Sequence, residues 1–312
     1  MSDAFPGCPV IDAHHHFWEL GRFPYRWLAP EAGPARFGDK GPIRRNFLPP
    51  DLLTEAAGLD LVGSVHVQAN CGADDPVDET RWLDTLARET GWPSAIVAEV
   101  DLTAPEAIER IEAHLDASPR LRGIRTPVAW DEAGRWRVAR APGVLQDPAF
   151  DAAARQLARC GLVLDMVVVP DQLPEVMAFA EAHPDLTIAI DHFATLEPHR
   201  PGNAGTWRTG IAALAQVPNV FVKISGLWTA DASWSAVVVG PFVAHALEHL
   251  GPERLMWGSN LPVERVNCPL DGQIASLARI LGEQTERVVR RLFHDTARQV
   301  YRLGGPDKAA RP

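Results

Sequence analysis

The sequence predicts a (β/α)8 TIM barrel, and three observations support this fold class. Eight short apolar, β-branched runs recur along the 312 residues, and segments with three-to-four-residue apolar spacing separate most of them. Eight alternations of strand and helix indicate a parallel sheet, and eight strands is the number that closes a barrel. A doubly wound open sheet is disfavoured, because no glycine-rich phosphate loop follows the first run.

The predicted strands are bounded by Gly, Pro and Asp, and several are apolar almost throughout, as strands buried on both faces should be. They span residues 10–15, 62–69, 94–102, 121–127, 162–169, 186–193, 220–226 and 254–260. Helices are predicted over 52–59, 79–90, 105–117, 149–160, 173–182, 205–216, 237–250, 273–281 and 283–301. Because a barrel needs about 250 residues, residues 1–312 are expected to form a single barrel domain with long loops at about 17–50 and 128–148.

The composition excludes several classes of partner. The formal net charge is -10 and the sequence has no basic run. It therefore contains no positively charged cluster that would bind a nucleic acid or an anionic membrane. The sequence has no apolar stretch of membrane-spanning length, no signal-peptide pattern at its start, and 4 scattered cysteines without a CxxC motif. We therefore expect a cytoplasmic enzyme that acts on a small molecule; whether it forms a homo-oligomer stays open.

The end of the first predicted strand carries the first candidate site. Side chains two residues apart on a strand face the same way, so His14 and His16 are expected to point together into the mouth of the barrel. Active sites of barrel enzymes lie at this end of the strands. Two imidazoles on one face form half of a site for zinc or a similar divalent metal. The alternative is a histidine-rich surface turn.

Residues 12–18, Asp-Ala-His-His-His-Phe-Trp, resemble the opening signature of the amidohydrolase-related family of the amidohydrolase superfamily. The branch that they resemble contains L-fuconolactonase and 2-pyrone-4,6-dicarboxylate lactonase. Further motifs of the family follow in order at residues 66–70, 75–77, 79–83, 123–125, 191–192, 219–226 and 254–260. The resemblance implies a TIM-barrel hydrolase that opens a small cyclic ester, a lactone of a sugar acid or of a catabolic carboxylic acid, with activated water.

The resemblance also assigns candidate catalytic residues at the ends of strands 6 and 8. His192 matches a third histidine of the family's site, although a core histidine bonded to a carbonyl would give the same pattern. Most of the superfamily ends strand 8 with an aspartate that binds metal and deprotonates water. This chain has Asn260 there, and an amide is not a base near neutral pH. Glu264, four residues further along the same loop, is the candidate replacement for that base.

The metal ligands implied by the resemblance are reduced in number in this chain. The histidine that many amidohydrolases carry on strand 5 is absent, and Arg125 stands where some have a lysine on strand 4. These departures leave at most one divalent metal ion, zinc or similar. Its ligands would be His14, His16 and His192, with Asn260 as a weak fourth. The alternative is a metal-independent reaction, in which His192 or Glu264 deprotonates the water.

Four residues are predicted to bind the substrate. Arg125 presents a fork of donors that matches a carboxylate or a lactone carbonyl, and Gln68 can bond substrate oxygens from strand 2. Lys223 on strand 7 is predicted to supply a positive charge, and Trp228 lies just beyond the end of that strand. A structural ion pair is the alternative for Arg125 and for Lys223. Glu99 on strand 3 is assigned to barrel packing and helix capping.

Three other functions stay open at this point. Relatives in the wider superfamily act as decarboxylases or hydratases at the same site, and others hydrolyse amides. A non-catalytic binder of small molecules is the third, because Asn260 cannot serve as the missing base. The two long loops carry several Trp and Arg residues, which either cover the cavity as a lid or pack on its rim.

Overall fold

The computed structural model, which describes Phe5 and residues 7–282 and 284–304, contains one sheet of eight parallel strands in chain order. This order, with helices between the strands, confirms the predicted TIM barrel. The strands are β1 (Pro9–His15), β2 (Asp60–Val67), β3 (Ala95–Glu99), β4 (Leu121–Pro127), β5 (Val163–Val167), β6 (Ile188–Ile190), β7 (Val220–Ile224) and β8 (Leu255–Trp257).

The helices of five or more residues follow the predicted pattern closely. They are α1 (Pro49–Glu55), α2 (Val77–Thr90), α3 (Ala107–Ala117), α4 (Pro148–Cys160), α5 (Leu173–Ala182), α6 (Asn203–Ala213), α7 (Ala236–Leu250), α8 (Leu270–Leu281), α9 (Glu286–Arg290) and α10 (Thr296–Val300). One π-helical turn, Arg291–Asp295, joins α9 to α10. The predicted start of the last helix, residue 283, lies outside the described residues. Where the structure describes the chain, no helix is long and apolar enough to cross a membrane.

Five strands, β3 and β5–β8, are shorter than predicted, and β6 and β8 are the shortest, with three residues each. β6 ends at Ile190 and β8 ends at Trp257, whereas the apolar pattern extends three residues beyond each of them. The chain then leaves the sheet toward His192 and Asn260, which have positive φ angles of 54° and 51°. An extended strand has a negative φ. The apolar pattern therefore could not reveal these two turns, although both residues were identified.

The first and last strands meet at a seam that polar groups stabilise. The backbone N–H of Asn260 donates to the carbonyl of His14 at 2.7 Å. The buried Asp12 carboxylate accepts the backbone N–H of Ser259 at 2.9 Å and also its hydroxyl. Burial raises the pKa of Asp12 to about 6, although the Ser259 bonds oppose this effect. The contacts at this seam bring the end of β1 beside the residues that follow β8.

Alternate side chains of the strands fill the barrel interior. The inner apolar layer contains Ile11, Ala13, Val65, Val67, Ala95, Val97, Val163, Ala189, Phe221 and Met256. Ala297 and Val300 of α10 and the following Tyr301 belong to the same cluster, so the C-terminal helix packs against the barrel interior. Most of these inner residues precede the carboxyl ends of their strands, which leaves those ends to polar side chains.

Candidate active site

A cavity of about 280 Å³ opens at the carboxyl ends of the strands, where barrel enzymes have their active sites. The loop after β1 contributes Trp27, Arg36 and Phe37 to its wall, and the loop after β4 contributes Trp136 and Val138. The Arg36 guanidinium lies 3.3 Å from the centre of the Trp136 ring and so joins the two loops. The wall also contains the predicted site residues His16, Gln68, Arg125, His192 and Asn260.

The backbone at His192 and Asn260 is strained. Both residues have left-handed φ angles, and the four residues from His192 to Thr195 share this conformation. Non-glycine residues rarely adopt it, at a cost of about 1–3 kcal/mol each, and such strain persists only where surrounding contacts impose it. Both side chains line the cavity as a result.

His14 lies below the cavity wall and is completely buried. Its Nδ1 is 3.2 Å from Asp191 Oδ1, and its Nε2 has no hydrogen-bond partner among the described residues. Burial lowers the pKa of His14 well below its ordinary value, although Asp191 opposes this, so the ring is neutral. Nδ1 also lies 3.3 Å from Lys223 Nζ, which only donates, but that ammonium already pairs with Asp165 and Asp191. Since the nearer Asp191 carboxylate only accepts, we assign the ring proton to Nδ1, which leaves a lone pair on Nε2. Gly258 lets β8 lie close to the His14 backbone, because a Cβ there would lie 2.6 Å from His14 Cβ and 2.8 Å from its backbone N.

His16 and Asn260 face each other at the cavity wall. His16 Nδ1 donates to the Val67 carbonyl at 2.7 Å, and burial lowers the pKa of His16 to about 3. Its Nε2 therefore carries a lone pair, and this atom is 3.3 Å from Asn260 Oδ1. The amide cannot turn over, because its Nδ2 donates to Thr229 Oγ1 at 3.1 Å and to Glu264 Oε2 at 3.2 Å. Two acceptors thus point at each other, an arrangement that a proton or a cation stabilises.

His192 stands beside His14, with the two ring centres 4.5 Å apart. Its Nδ1 lies 3.2 Å from Ser225 Oγ, and burial lowers its pKa to about 3. The ring rests on Gly226, where a Cβ would come within 2.3 Å of Nδ1. Nitrogen or oxygen atoms of His14, Asp191 and His192 lie within 4.8 Å of one another, close enough to share a metal ion. His16 is not part of that group.

Charged residues form a buried layer below the histidines. Lys223 is paired with Asp165 and, at 3.0 Å, with Asp191. Asp191 also lies 3.0 Å from Arg125 Nε, and the Tyr301 hydroxyl donates to Asp165 at 2.8 Å. Burial would raise the pKa of Asp191, but Lys223 and His14 hold it well below its ordinary value. Asp191 is therefore a carboxylate that connects the charged layer to the histidines.

Glu264 lies behind Asn260 and does not line the cavity. It belongs to a short 3-10 turn, Val263–Val266, and is 1% exposed. Its carboxylate accepts the backbone N–H groups of Trp228 and Thr229 and the Thr229 hydroxyl, as well as the Asn260 amide. Burial raises its pKa to about 7, although these donors oppose the shift. This geometry orients the Asn260 amide, whereas a base must reach the water itself.

Two predicted substrate contacts differ from the structure. Lys223 is 0% exposed and pairs with two carboxylates below the cavity, so a structural ion pair describes it better than a substrate contact. Trp228 is also buried, and its indole N–H donates to the Trp234 carbonyl at 3.3 Å. Both side chains lie outside the cavity wall, because their polar groups already bind protein partners.

Three residues at or below the cavity were not among the predicted site residues: Asp165, Glu99 and Arg36. Asp165 lies two residues after the inner residue Val163, and Glu99 lies two residues after the inner residue Val97. Strand alternation, applied to every strand, places both carboxylates inside the barrel. Arg36 belongs to a loop without periodicity, and no pattern in the sequence indicated that it lines the cavity.

Comparisons with known proteins agree with this architecture. A family model described as amidohydrolase matches residues 11–303. The chain is 33% identical to an L-fucono-1,5-lactonase of Burkholderia ambifaria, across 95% of this chain and 96% of that relative. Both matches extend over nearly all of the barrel.

Solved structures give the same result. An amidohydrolase from Burkholderia multivorans with bound zinc is 27% identical and has a TM-score of 0.78, over 95% of this chain and 99% of that one. A putative 2-pyrone-4,6-dicarboxylic acid hydrolase from Pseudomonas putida shares the fold, with 18% identity, a TM-score of 0.70 and coverage of 94% and 97%. The chain therefore belongs to the amidohydrolase family, in the branch that contains the L-fucono-1,5-lactonases, and is a hydrolase.

Proposed function

We propose that this hydrolase opens a small cyclic ester, a lactone of a sugar acid or of a catabolic carboxylic acid, at the imidazole wall of the cavity. The observation that supports this most strongly is the acceptor pair of His16 Nε2 and Asn260 Oδ1, 3.3 Å apart beside a cavity that admits a small molecule. Such a pair can hold either a metal ion or, without metal, a water molecule next to an ester carbonyl. The Burkholderia ambifaria relative is named for hydrolysis of a lactone.

The residues present fit one divalent metal ion. His14 Nε2 is buried without a partner, and His16 Nε2 faces a second acceptor, so both lone pairs are available. His192 is neutral as well, and neutral imidazole is the ligand that zinc prefers among nitrogen donors. We propose His14, His16 and His192 as the ligands. When bound, such an ion makes water more acidic, with a pKa that falls from 15.7 to about 7.

Asn260 and Arg125 act directly on the reacting groups in this proposal. Asn260 Oδ1 accepts a hydrogen bond from the attacking water and so directs its oxygen at the lactone carbonyl. Glu264 acts through Asn260, because its carboxylate holds the amide in one orientation. Arg125 lines the cavity, and its guanidinium forms an ion pair with Asp191. Its other N–H groups can bind the carbonyl oxygen as negative charge develops there. Gln68, also in the wall, binds a ring oxygen.

The metal-independent alternative assigns the proton differently. Water would then lose its proton to His192, which lines the cavity, and not to Glu264, which lies behind the amide. An imidazole with a pKa of about 3 is a weak base at neutral pH. Catalysis without metal is therefore expected to be slow.

The test is hydrolysis of a lactone panel, followed as acid release at constant pH with protein purified without chelator and then supplied with zinc. We expect turnover of at least one sugar-acid or carboxylated lactone. His192→Ala should lower kcat by about 10²–10⁴-fold. Glu109→Gln, on the exposed face of α3, serves as the control and should retain the wild-type rate. Saturable lactone binding without turnover, in both metal states, would contradict the proposal and identify a non-catalytic binder.

A further inference from the structure

Glu99 places a carboxylate in the cavity from the end of β3. Glu99 lies on the same face of β3 as Ala95 and Val97, whose side chains lie inside the barrel. It also lines the cavity. Its assignment to packing and helix capping is therefore corrected. No step of the proposed reaction uses this carboxylate.

No protein group satisfies this carboxylate in the described part of the chain. No donor bonds it and no cation lies within 4.0 Å of its oxygens. Arg125 is its register neighbour on β4, but the guanidinium of Arg125 forms an ion pair with Asp191. Burial, followed by the nearby Glu79, raises the pKa of Glu99. Hydrogen-bond donors on a bound ligand would therefore stabilise this desolvated carboxylate.

The charges around the cavity indicate what kind of ligand brings those donors. The positive charge of Arg125 is matched by Asp191, and that of Lys223 is matched by Asp165. Arg36, on the loop after β1, also lines the cavity, where its guanidinium donates to the Thr229 carbonyl and stacks on Trp136. A ligand carboxylate placed next to Glu99 itself would meet a like charge, which is unfavourable. Neutral hydroxyl groups have no such penalty and can donate to both carboxylate oxygens.

The neighbouring wall fits a ring that carries hydroxyl groups. Gln68 and Asn70 follow β2, the strand beside Glu99, and both line the cavity. Gln68 Oε1 accepts the Asn70 backbone N–H at 2.7 Å, which fixes the amide beside the carboxylate. Trp27 and Trp136 also line this cavity, and the Arg36 guanidinium stacks on Trp136. A wall that combines polar groups with aromatic side chains suits a polyhydroxylated ring.

We infer that Glu99 determines substrate specificity: its carboxylate accepts hydrogen bonds from ring hydroxyls, selects polyhydroxylated lactones and rejects lactones with a carboxylate at that position. This inference rests on the proposed function and narrows its substrate class. Hydrogen bonds to a charged group contribute enough that losing them lowers binding about 10–100-fold.

The experiment compares Glu99→Gln with wild type on three kinds of lactone: a hexono-1,5-lactone, its deoxy analogues that each lack one hydroxyl, and a lactone with a ring carboxylate. Glu99→Gln should lower kcat/KM for the hydroxylated lactone by about 10–100-fold, mainly through KM, and raise it for the carboxylated one. For the deoxy analogue that lacks the hydroxyl bound by Glu99, wild type and Glu99→Gln should have the same kcat/KM. Glu109→Gln should match wild type throughout.

A second arm is independent of turnover. Calorimetry with 1,5-anhydrohexitols, cyclic polyols that cannot be hydrolysed, should show binding to wild type and weaker binding to Glu99→Gln. Equal kcat/KM in Glu99→Gln and wild type for every hydroxylated lactone, or no binding of these polyols to wild type, would overturn the inference. Binding that depends on Glu99 without turnover of any lactone would support Glu99 while contradicting the proposed function.

Discussion

Two buried polar regions of the barrel differ in how their groups are satisfied. The imidazole rim, His14, His16 and His192, is neutral, and at least two of its ring nitrogens face no protein donor. The ion-pair floor, Arg125, Asp165, Asp191 and Lys223, is charged, and each member has an opposite charge within 3.0 Å. Buried polar groups without a protein partner, like those of the rim, indicate a ligand site, whereas fully paired groups, like those of the floor, stabilise the fold.

The two regions meet at a single carboxylate. Asp191 belongs to the floor through Lys223 and Arg125, and it contacts the rim through His14. Its negative charge keeps the proton on His14 Nδ1 and so leaves Nε2 free. The floor therefore determines the chemical state of the rim, and Arg125 is its one member that lines the described cavity. This difference can be tested by changing each region separately.

The largest expected effect is on stability, from a change in the floor. Lys223→Met leaves Asp165 and Asp191 buried without their shared cation, which should lower the free energy of unfolding by about 3–5 kcal/mol. Denaturant unfolding followed by circular dichroism measures this change. Arg287→Met, which breaks the exposed pair with Glu253, is the control and should have a far smaller effect. Similar losses in the two variants would show that the floor is not a special source of stability.

The second effect concerns the rim and its metal. His14→Ala removes the nitrogen that has no partner, and zinc affinity should fall by more than the 10–100-fold typical of outer-shell changes. Equilibrium dialysis with zinc, read by elemental analysis, tests this without any substrate. His245→Ala is the matched control, because His245, Glu248 and His249 form the other possible ligand group among the described residues. If His245→Ala lowers the zinc affinity and His14→Ala does not, the rim is not the metal site.

How much of these regions the sequence predicted depends on how regular the local backbone is. Strand alternation predicted that His14 and His16 share one face of β1; their ring centres lie 5.1 Å apart, but His16 lines the cavity and His14 lies below it. The same alternation could have placed Asp165 and Glu99 inside the barrel. The resemblance to a known family identified His192 and Asn260, but not their left-handed backbone, which depends on tertiary contacts. The partners of Lys223 come from three other strands and were not predictable from its own segment.

The third effect is a displacement within the rim. Gly226→Ala adds a Cβ that would lie 2.3–2.8 Å from three atoms of His192, and the ring must move. A shift of about 1 Å costs on the order of 100-fold in rate, so kcat for the lactone should fall by about that factor. Gly202→Ala has a similar positive φ with open space around it, and it controls for backbone strain. Equal rates in the two variants would mean that His192 can move without consequence.

The smallest effect tests whether Glu264 positions Asn260 or acts as the base. Glu264→Gln offers an amide in place of the carboxylate that holds Asn260 Nδ2, so the Asn260 side chain loses its fixed orientation. We expect kcat to fall about tenfold, the loss of roughly one hydrogen bond, with KM nearly unchanged. Glu248→Gln, on the surface of α7, should leave kcat unchanged. A fall of 10²–10⁴-fold would instead indicate a general base.

The most direct test of the central claim, that a lactone is opened at the imidazole rim, is a crystal structure of the protein with the hydroxy acid formed from its preferred lactone. We predict that the new carboxylate lies within hydrogen-bonding distance of Asn260 and Arg125, beside His16 and His192, with its hydroxyls at Glu99. A product bound instead in the outer polar depression beside Arg135 and Arg200, with the rim free of ligand, would contradict the account.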